Sequence, residues 1–593
     1  MPLRCQGQGS KFNILPSDDP EVMFQVPGPT VSFSRLHYSV MESNGLCHKT
    51  GPEKHILKDV SGIMRPGMNA IMGPTGSGKT SLLDVIAGRK DPAGLKFGQV
   101  LIDGKMVDSD LRLISAYVVQ DDILMGTLSV RENLLFSVNL RLDPRHYSTT
   151  DKQQRVDSII DDLGLQDCAH TKIGTECSIG MELITSPRLL FLDEPTTGLD
   201  SNTANHIINL LHRLSRSGKT IVFSIHQPRY SIFSRFDHLT LMHRGELVYA
   251  GAAGKALSYF TDLGYHCEPF NNPSDFFLDV TNGEAHNLLA VSYRQSTQYQ
   301  RVVEELDHLT QGLEGGVGGQ GQKADYVTSF WYQMRIVGGR MVVNSLRNPQ
   351  TSYAQLALNI FFALLVALQN RMGAFFFLII NMVFGNLSAV ELFINERALF
   401  IHENSSGYYR TSVYFLSKIF ADLIPNRIVP ILIFSAIAYY MMGLKPAFTA
   451  FLLFTLTLSL VSLAGVSLAF LVSASVSSFA MANVLIALPF VFMMVFGGFL
   501  VNLNSMLSWL SWLKWISIFR YGLGRRGAVT INEFKGQIFY SNTTILPGEV
   551  YLETQGIDYS TWGFWQNHVA LAGIITVCMV LAYIQLRRIN RWK

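Results

Sequence analysis

The sequence predicts a soluble α/β domain with a mostly parallel sheet, followed by an all-α membrane domain of six helices. Two observations lead to this fold class. Charged and apolar residues are mixed up to about Arg347, whereas long apolar runs with few ionisable residues begin near Ser352. Hydrophobic residues make up 48% of the 593 residues and charged residues only 16%, which is typical of a chain that lies partly in lipid.

The soluble part alternates short β-branched and aromatic runs with helical stretches, which is the pattern of an α/β fold. We expect a flexible N-terminal tail at 1–30, the α/β domain at 31–285, a polar Gly-rich linker at 286–330 and an amphipathic connecting helix at 331–350. The predicted strands cover residues 31–40, 70–72, 99–102, 116–119, 189–192, 221–225 and 239–242.

The membrane domain is expected at 351–593, where six apolar segments are long enough or nearly long enough to span a bilayer. The first is short, because a helix over 352–368 covers about 25 Å of a hydrocarbon core that is ~30 Å thick. The cationic C-terminus predicts a cytosolic end, and an even number of spans then places both termini in the cytosol. The six segments are 352–368, 372–394, 424–442, 448–471, 479–501 and 569–586.

Charge and cysteine usage exclude several other classes of protein. A net charge of +3 without a basic, aromatic-rich patch argues against a nucleic-acid partner. The six cysteines have no metal-ligand spacing, so we expect reduced thiols. The N-terminal residues lack the apolar stretch of a secretory signal, which favours a cytosolic soluble domain.

Residues 73–80 fit the phosphate-binding pattern G-x-x-x-x-G-K-[ST], with an apolar strand before them and a helical stretch after them. Backbone N–H groups of such a loop bind phosphate oxygens, Lys79 neutralises their charge, and the Thr80 hydroxyl can ligate Mg²⁺. We therefore predict ATP and Mg²⁺ as cofactors. The loop consists of Gly73, Pro74, Thr75, Gly76, Ser77, Gly78, Lys79 and Thr80.

Polar side chains also follow three other predicted strands. Asp193 and Glu194 end the run 189–192, which suits a carboxylate on Mg²⁺ followed by one that polarises the attacking water. His226 and Gln120 end two further runs, so we expect both at the same sheet edge. A structural histidine and an ordinary loop amide are the alternatives. We favour a γ-phosphate contact for His226 and contact with metal and water for Gln120.

The order of these motifs resembles an ATP-binding cassette domain, and its place before the membrane half resembles the G subfamily, the white and breast cancer resistance protein group of half-transporters. The resemblance implies Glu194, His226 and Gln120 as catalytic residues, and Asp200 in the nucleotide site. It implies Thr80, Gln120 and Asp193 as metal ligands, and a second half-transporter subunit as partner. Further similar stretches are 117–131, 178–199, 224–233, 271–279, 388–393, 407–410, 443–446 and 491–494.

The chain departs from this family at the signature motif. A Ser-Gly-Gly turn is expected ahead of the Asp193 strand, but residues 173–177 run directly into 178–183, and Ser-Gly-Gly occurs nowhere in the sequence. In the family, each of two ATP molecules lies between one subunit's P-loop and the other's signature. A homodimer of this chain is therefore expected to hydrolyse ATP poorly, whereas pairing with an intact subunit restores one complete site.

By resemblance, Phe384 stacks on flat substrates at the dimer axis, and Asn381 supplies a hydrogen bond. Ordinary lipid-facing or packing roles are the alternative for the apolar members of this set. Arg427 is costly near a span and needs a partner, for which Glu391 is a candidate. Asn542 begins a glycosylation acceptor. The other implied cavity residues are Phe376, Phe377, Val491 and Met494, with Phe499 and Leu500 as a plug above them.

Three functional hypotheses remain open from the sequence. The first is ATP-driven efflux of amphipathic organic compounds or sterol-like lipids by a dimeric half-transporter. The second is an ATP-binding but hydrolysis-impaired subunit of a heterodimer, and the third is a truncated form that does not assemble. The resemblance favours a multi-pass protein of the plasma membrane that contacts membrane lipid.

Overall fold

The computed structural model describes most of the chain with side chains. The described residues are 27–41, 52–106, 115–120, 123–166, 169–171, 175–269, 271–283, 286–311, 326–366, 371–497, 512, 515–522, 538–540, 545–547 and 561–589.

The described chain contains twelve strands, most of which lie in the soluble half. The predicted strands are all present, with bounds that shift by a few residues. The bounds are β1 Val31–Met41, β2 Glu53–Met64, β3 Gly67–Met72, β4 Leu95–Ile102, β5 Lys105–Met106, β6 Ser115–Val118, β7 Leu189–Leu192, β8 Thr220–Ser224, β9 His238–His243, β10 Glu246–Ala252, β11 Ile538–Tyr540 and β12 Ile545–Pro547.

A six-stranded sheet forms the centre of the soluble half, in the order β10-β9-β3-β8-β7-β6. All its pairings are parallel except that of β10 with β9, which confirms the predicted mostly parallel sheet. Since parallel strands end at the same edge, the residues after β3, β6, β7 and β8 lie together.

A second sheet, which the sequence did not separate from the first, is antiparallel in the order β2-β1-β4-β5. The predicted runs at 31–40 and 99–102 belong to it. Strand β2 was not predicted, because Lys54, Lys58 and Asp59 interrupt its apolar residues. Its second half is nevertheless buried, from Val60 to Met64. The two sheets share one core, in which Val31 and Leu57 pack with Ile71 and Phe191.

The linker predicted at 286–330 is in part helical. Helices cover His286–Gln295 and Thr297–Gln311, and they bury Leu289, Ala290, Tyr293 and Leu306 against the strands of the soluble half. Tyr293 also donates a hydrogen bond from its hydroxyl to Ala250 O at 3.1 Å. The polar composition hid this apolar face because the buried side chains are widely spaced among charged and amide residues.

Ten helices lie in the described part of residues 79–311. They are α1 Lys79–Ile86, α2 Val130–Arg141, α3 Thr149–Leu163, α4 Thr175–Leu183, α5 Ser201–Arg216, α6 Tyr230–Phe233, α7 Ala256–Asp262, α8 Pro273–Asn282, α9 His286–Gln295 and α10 Thr297–Gln311.

The second half is helical, and a described helix lies at each of the six predicted apolar segments. The 28-residue α18 is its central element, with Val461, Ala464 and Ala469 fully buried. The helices are α11 Phe330–Arg347, α12 Gln350–Val366, α13 Arg371–Phe384, α14 Glu391–Ile394, α15 Arg397–Ser405, α16 Thr411–Leu423, α17 Val429–Met441, α18 Phe448–Ser475, α19 Phe479–Val495, α20 Ile518–Gly522 and α21 Thr561–Arg588.

Among the described residues, four helices are long and apolar enough to cross a membrane: Ala374–Ser405, Thr411–Met441, Phe448–Ser475 and Phe564–Arg588. Two shorter apolar helices cover Ser352–Leu365 and Phe479–Val495. The second and third helices are longer than predicted. A 3₁₀ segment, Gly385–Val390, and a π segment, Ile424–Ile428, join apolar stretches to neighbouring helices whose charged residues obscured them in the sequence.

The chain divides into two compact units. The first contains the described parts of residues 1–122 and 150–325, and the second those of 123–149 and 326–591. Residues 123–149, which the sequence placed inside the α/β domain, therefore pack with the membrane helices. Within the second unit, Thr127 Oγ1 donates to Asn344 Oδ1 at 2.6 Å, and the ring of Phe136 lies 3.7 Å from Arg340 Cζ. The predicted domain boundaries otherwise stay predictions.

Candidate nucleotide and substrate sites

The predicted phosphate-binding loop connects β3 to α1. Gly73, Gly76 and Gly78 all have positive φ angles, of 154°, 79° and 98°. A Cβ atom on Gly73 would lie 2.2 Å from Met242 O, so this position admits only glycine. Gly78 is the N-cap of α1, which aims the first backbone N–H groups of the helix into the loop.

Lys79 is 5% exposed although it is charged. Its Nζ donates to Gly73 O at 2.8 Å and to Pro74 O at 3.2 Å, so the ammonium lies in the curve of the loop. Burial lowers the pKa of Lys79, while the carboxylates of Glu194 and Asp193 oppose that shift. A cation held in this position can neutralise phosphate oxygens bound by the loop.

Asp193 is held at the end of β7 by two hydroxyl groups. Thr80 Oγ1 donates to Asp193 Oδ1 at 3.0 Å, and Ser224 Oγ donates to the same oxygen at 2.6 Å. Burial raises the pKa of Asp193, and these two hydrogen bonds lower it in part. The structure therefore brings Thr80 and Asp193, two of the predicted metal ligands, into contact, and both offer oxygen atoms to a metal ion.

Glu194 follows with a φ of 47°, a left-handed conformation that non-glycine residues rarely adopt. Its backbone N–H donates to Ser224 Oγ at 2.8 Å. Its Oε2 accepts from Thr197 Oγ1 at 3.0 Å and from Gln120 Nε2 at 3.4 Å. The strained turn thus directs the carboxylate toward Gln120, as the sequence placed it.

Ser224 was missed by the sequence reasoning. It is the last residue of β8, completely buried, and it joins Asp193 to the backbone of Glu194. A hydroxyl at the end of a short buried strand is the signal that could have found it, because a buried polar group needs partners.

His226 and Asp200 lie where loops leave the sheet. His226 Nε2 is 3.4 Å from Thr75 Oγ1, so the structure brings this histidine to the phosphate-binding loop. Asp200 is the N-cap of α5, and its Oδ2 accepts from the backbone N–H of Asn202 at 3.0 Å and of Thr203 at 3.3 Å. The capping role is structural, and a nucleotide contact for Asp200 stays a prediction.

In the membrane half, Phe384 ends α13 and packs against two rings that the sequence did not single out. Its centroid is 5.7 Å from that of Phe490 and 6.4 Å from that of Phe519. Asn381 is half-buried one turn earlier. Phe376, Phe377 and Met494 are half-buried and Val491 is exposed, whereas Phe499, Leu500 and Asn542 lie outside the described residues.

Arg427 is 3% exposed, and its partner is Asp422 rather than Glu391. Arg427 Nε lies 3.4 Å from Asp422 Oδ2, while its terminal nitrogens donate to Asn386 Oδ1 at 3.1 Å and Ser388 Oγ at 3.0 Å. A spacing of five residues does not share a face in an α-helix. The π segment Ile424–Ile428, with its wider turn, brings the two residues together.

The chain matches known family models and curated relatives over most of its length. An ABC transporter model matches residues 57–197, and two ABC-2 type transporter models match residues 332–532 and 226–301. "Broad substrate specificity ATP-binding cassette transporter ABCG2" of Rattus norvegicus is 45% identical over 95% of this chain and 95% of the relative. "ATP-binding cassette sub-family G member 3" of Mus musculus is 37% identical over 94% of each, and "Protein white" of Drosophila melanogaster is 33% identical over 91% of this chain and 84% of the relative.

The chain belongs to the G subfamily of ATP-binding cassette transporters.

This G-subfamily chain therefore has the predicted reverse-order architecture, an N-terminal cassette followed by a helical membrane domain. Members of this family are ATP-hydrolysing membrane transporters, and the nucleotide site described above is the part of the chain that supports this activity. Ser-Gly-Gly is absent from the sequence. The region in which the family resemblance leads us to expect it contains α4, which begins at Thr175 and buries Cys177.

Proposed function

We propose that this chain is a half-transporter that dimerises and uses ATP to export amphipathic organic compounds or sterol-like lipids. The observation that carries the proposal is the cluster at the sheet edge, in which Thr80 donates a hydrogen bond to Asp193 and Ser224 joins Asp193 to the backbone N–H of Glu194. One cassette contains one such cluster, and six apolar helices provide half of a substrate path. A second subunit would supply the rest.

The cluster has the donor set that Mg²⁺ prefers. Thr80 offers a hydroxyl, Asp193 a carboxylate and Gln120 an amide oxygen, and Mg²⁺ favours hard oxygen ligands. Bound with ATP, the ion would supply charge neutralisation on the β- and γ-phosphates. Lys79 and the loop N–H groups bind the phosphates, His226 orients the γ-phosphate, and Glu194 accepts a proton from the attacking water.

We assign the substrate contacts to α13 and α19. Phe384 would stack on a flat substrate, and its packing on Phe490 and Phe519 supports this role by restricting the ring. Asn381 would donate or accept one hydrogen bond. Phe376, Phe377, Val491 and Met494 would form the apolar walls, with Phe499 and Leu500 as the plug.

We place the protein in the plasma membrane with both termini in the cytosol. The basic last turn of α21, with Arg587 and Arg588, supports the cytosolic position of the C-terminus. Asn542 would then lie outside and carry a glycan. A shift in gel mobility after glycosidase treatment, lost in Asn542→Gln, tests this orientation, and an unshifted wild type argues against it.

A second candidate function rests on one observation, the absence of Ser-Gly-Gly from the sequence. This chain would then bind ATP but hydrolyse it poorly as a homodimer, and would act as the partner of an intact half-transporter. Inserting Ser-Gly-Gly after Cys177 separates the two candidates. Turnover that rises at least tenfold on insertion favours the heterodimer function, whereas a wild type that already hydrolyses ATP and gains nothing from the insertion favours the exporter.

Transport is tested in inside-out vesicles with a fluorescent, flat amphipathic compound. We expect ATP-dependent uptake that Glu194→Gln abolishes, and that Phe384→Ala reduces while ATP binding is unchanged. Equal uptake by wild type and Glu194→Gln would contradict export.

A further inference from the structure

The proposed Mg²⁺ ligands lie on three different elements of the cassette, and their relative positions need fixing. Thr80 lies in α1, Asp193 follows β7 and Gln120 follows β6. The hydrogen bond from Thr80 to Asp193 joins α1 to β7. The backbone N–H of Asp193 donates to Val118 O at 3.0 Å, which joins β7 to β6.

The remaining pair, α1 and β6, is joined by side chains that the proposed mechanism does not use. The Tyr117 hydroxyl on β6 donates to Asp84 Oδ1 on α1 at 2.5 Å. Lys90 Nζ donates to the other carboxylate oxygen, Asp84 Oδ2, at 3.1 Å. Arg89 Cζ lies 4.6 Å from the centroid of the Tyr117 ring. Asp84 and Tyr117 are therefore each held from two directions.

Sequence spacing places this contact directly behind the metal site. Asp84 follows Thr80 by one helical turn, so both residues lie on the same face of α1. Tyr117 lies in β6, and Gln120 follows three residues later, just beyond the end of the strand. The Tyr117 ring is 4% exposed and packs on Phe191 of β7, with ring centroids 6.4 Å apart. A movement of β6 relative to α1 would change the separation of Gln120 from Thr80.

We propose that Tyr117 is a positioning residue for the Mg²⁺ site, acting through Asp84 to hold Gln120 at a fixed distance from Thr80. The inference rests on the proposed Mg²⁺ site. Tyr117 itself contacts neither nucleotide nor metal. Its loss therefore weakens the Mg²⁺-dependent part of nucleotide binding and leaves the phosphate contacts of Lys79 and the loop intact.

The test uses the purified full chain in lipid discs and measures ATP binding as Mg²⁺ is titrated, and again in chelator. Tyr117→Phe keeps the ring and removes the hydroxyl. We expect the half-saturating Mg²⁺ concentration to rise about tenfold, as for residues that orient metal ligands, with unchanged ATP affinity in chelator. Tyr293→Phe is the matched control, because it removes another buried hydroxyl from the same unit and should leave the Mg²⁺ titration unchanged.

Asp84→Ala removes the same contact from the other side. It should raise the Mg²⁺ requirement as Tyr117→Phe does, and the double variant should be no worse than the more affected single one. A wild type without Mg²⁺ dependence overturns the proposed metal site itself. A Mg²⁺-dependent wild type with an identical Tyr117→Phe titration overturns the positioning role, as does a drop in ATP affinity that is equal with and without Mg²⁺.

Discussion

The cassette differs in its buried charge from the second compact unit, which contains the described parts of 123–149 and 326–591 and is called the membrane unit below. In the cassette, Lys79 and Asp193 are buried beside main-chain carbonyls and hydroxyls. In the membrane unit, Arg340 and Glu403 are 3% and 1% exposed and pair with each other across 63 residues of sequence. The first arrangement leaves charge available for a ligand, whereas the second neutralises it. Buried charge therefore serves binding in one unit and packing in the other.

Removing one partner of the Arg340–Glu403 ion pair tests the packing role of buried charge, and we expect it to cause the greatest change. Arg340 Nη2 donates to Glu403 Oε2 at 2.7 Å, and the Tyr409 hydroxyl donates to the same oxygen at 2.6 Å. Arg340→Met leaves Glu403 buried without its partner, which we expect to cost about 3–5 kcal/mol of unfolding free energy. Thermal unfolding of the full chain in lipid checks this.

The double variant Arg340→Met with Glu403→Leu is the control for that loss. It removes both charges together, so most of the stability should return. A double variant as unstable as the single one would show that the residues do more than neutralise each other.

The next effect tests the binding role. Lys79→Ala removes the buried ammonium from the phosphate-binding loop, and a hydrogen bond between charged groups contributes about 1.5–3 kcal/mol. We expect ATP affinity to fall about a hundredfold with little change in melting temperature. Exposed Lys255 provides the matched control, since Lys255→Ala should bind ATP as wild type does. A large loss of stability in Lys79→Ala would contradict the binding role and would show that this charge stabilises the fold, as Arg340 and Glu403 do in the membrane unit.

Two glycine substitutions in the phosphate-binding loop separate a steric clash from backbone strain, and we expect smaller changes from them. A Cβ on Gly73 meets Met242 O, whereas a Cβ on Gly76 meets no atom within 4 Å. Gly76→Ala therefore carries only the strain of its positive φ, about 1 kcal/mol, while Gly73→Ala also displaces the loop. Titration of ATP against both variants should show a much greater loss for Gly73→Ala. Equal losses of ATP affinity in the two variants would mean that the positive φ angle, and not the clash with Met242 O, causes the loss.

The smallest effect concerns an exposed ion pair of the membrane unit, between Glu132 and Arg347 with both contacts at 2.6 Å. The hydrogen bond from Arg347 is the main cause that lowers the pKa of Glu132 to about 2. A carboxylate with a lowered pKa stabilises the fold above its ordinary pKa, and this contribution is lost as pH falls through about 2. Arg347→Ala should lower the melting temperature slightly at pH 7 in low salt, and less in high salt. A salt-independent loss would point to packing instead.

The two units also differ in what their sequences disclosed. The phosphate-binding loop, Asp193, Glu194, Gln120 and His226 were found because each follows an apolar strand, and parallel strands share an edge. Local spacing was sufficient for them. The predicted fold class and the family resemblance are confirmed, while the carboxylate-binding Ser224 carried no motif.

In the membrane unit, the buried ion pairs join residues that are distant in sequence or that lie beside irregular backbone. Sequence spacing predicts neither kind of pair. Arg427 pairs with Asp422 through a π segment that the sequence does not reveal, so the candidate partner Glu391 was wrong. The ion pair of Arg340 with Glu403 joins α11 to α15. The residue pattern of neither helix predicts this contact. Helices were predicted well because apolar length is enough, and their contacts were not.

In the proposed function, the sheet-edge cluster of this chain performs ATP hydrolysis for transport. The decisive measurement is the ATPase activity of the purified full chain in lipid, with wild type compared with Glu194→Gln and ATP binding measured on both proteins. We predict equal ATP binding and a rate at least about a hundredfold lower for Glu194→Gln, because the carboxylate that accepts the proton is gone. Two proteins that bind ATP equally and are equally inactive would contradict the claim, and would leave this chain as the ATP-binding partner of an intact half-transporter.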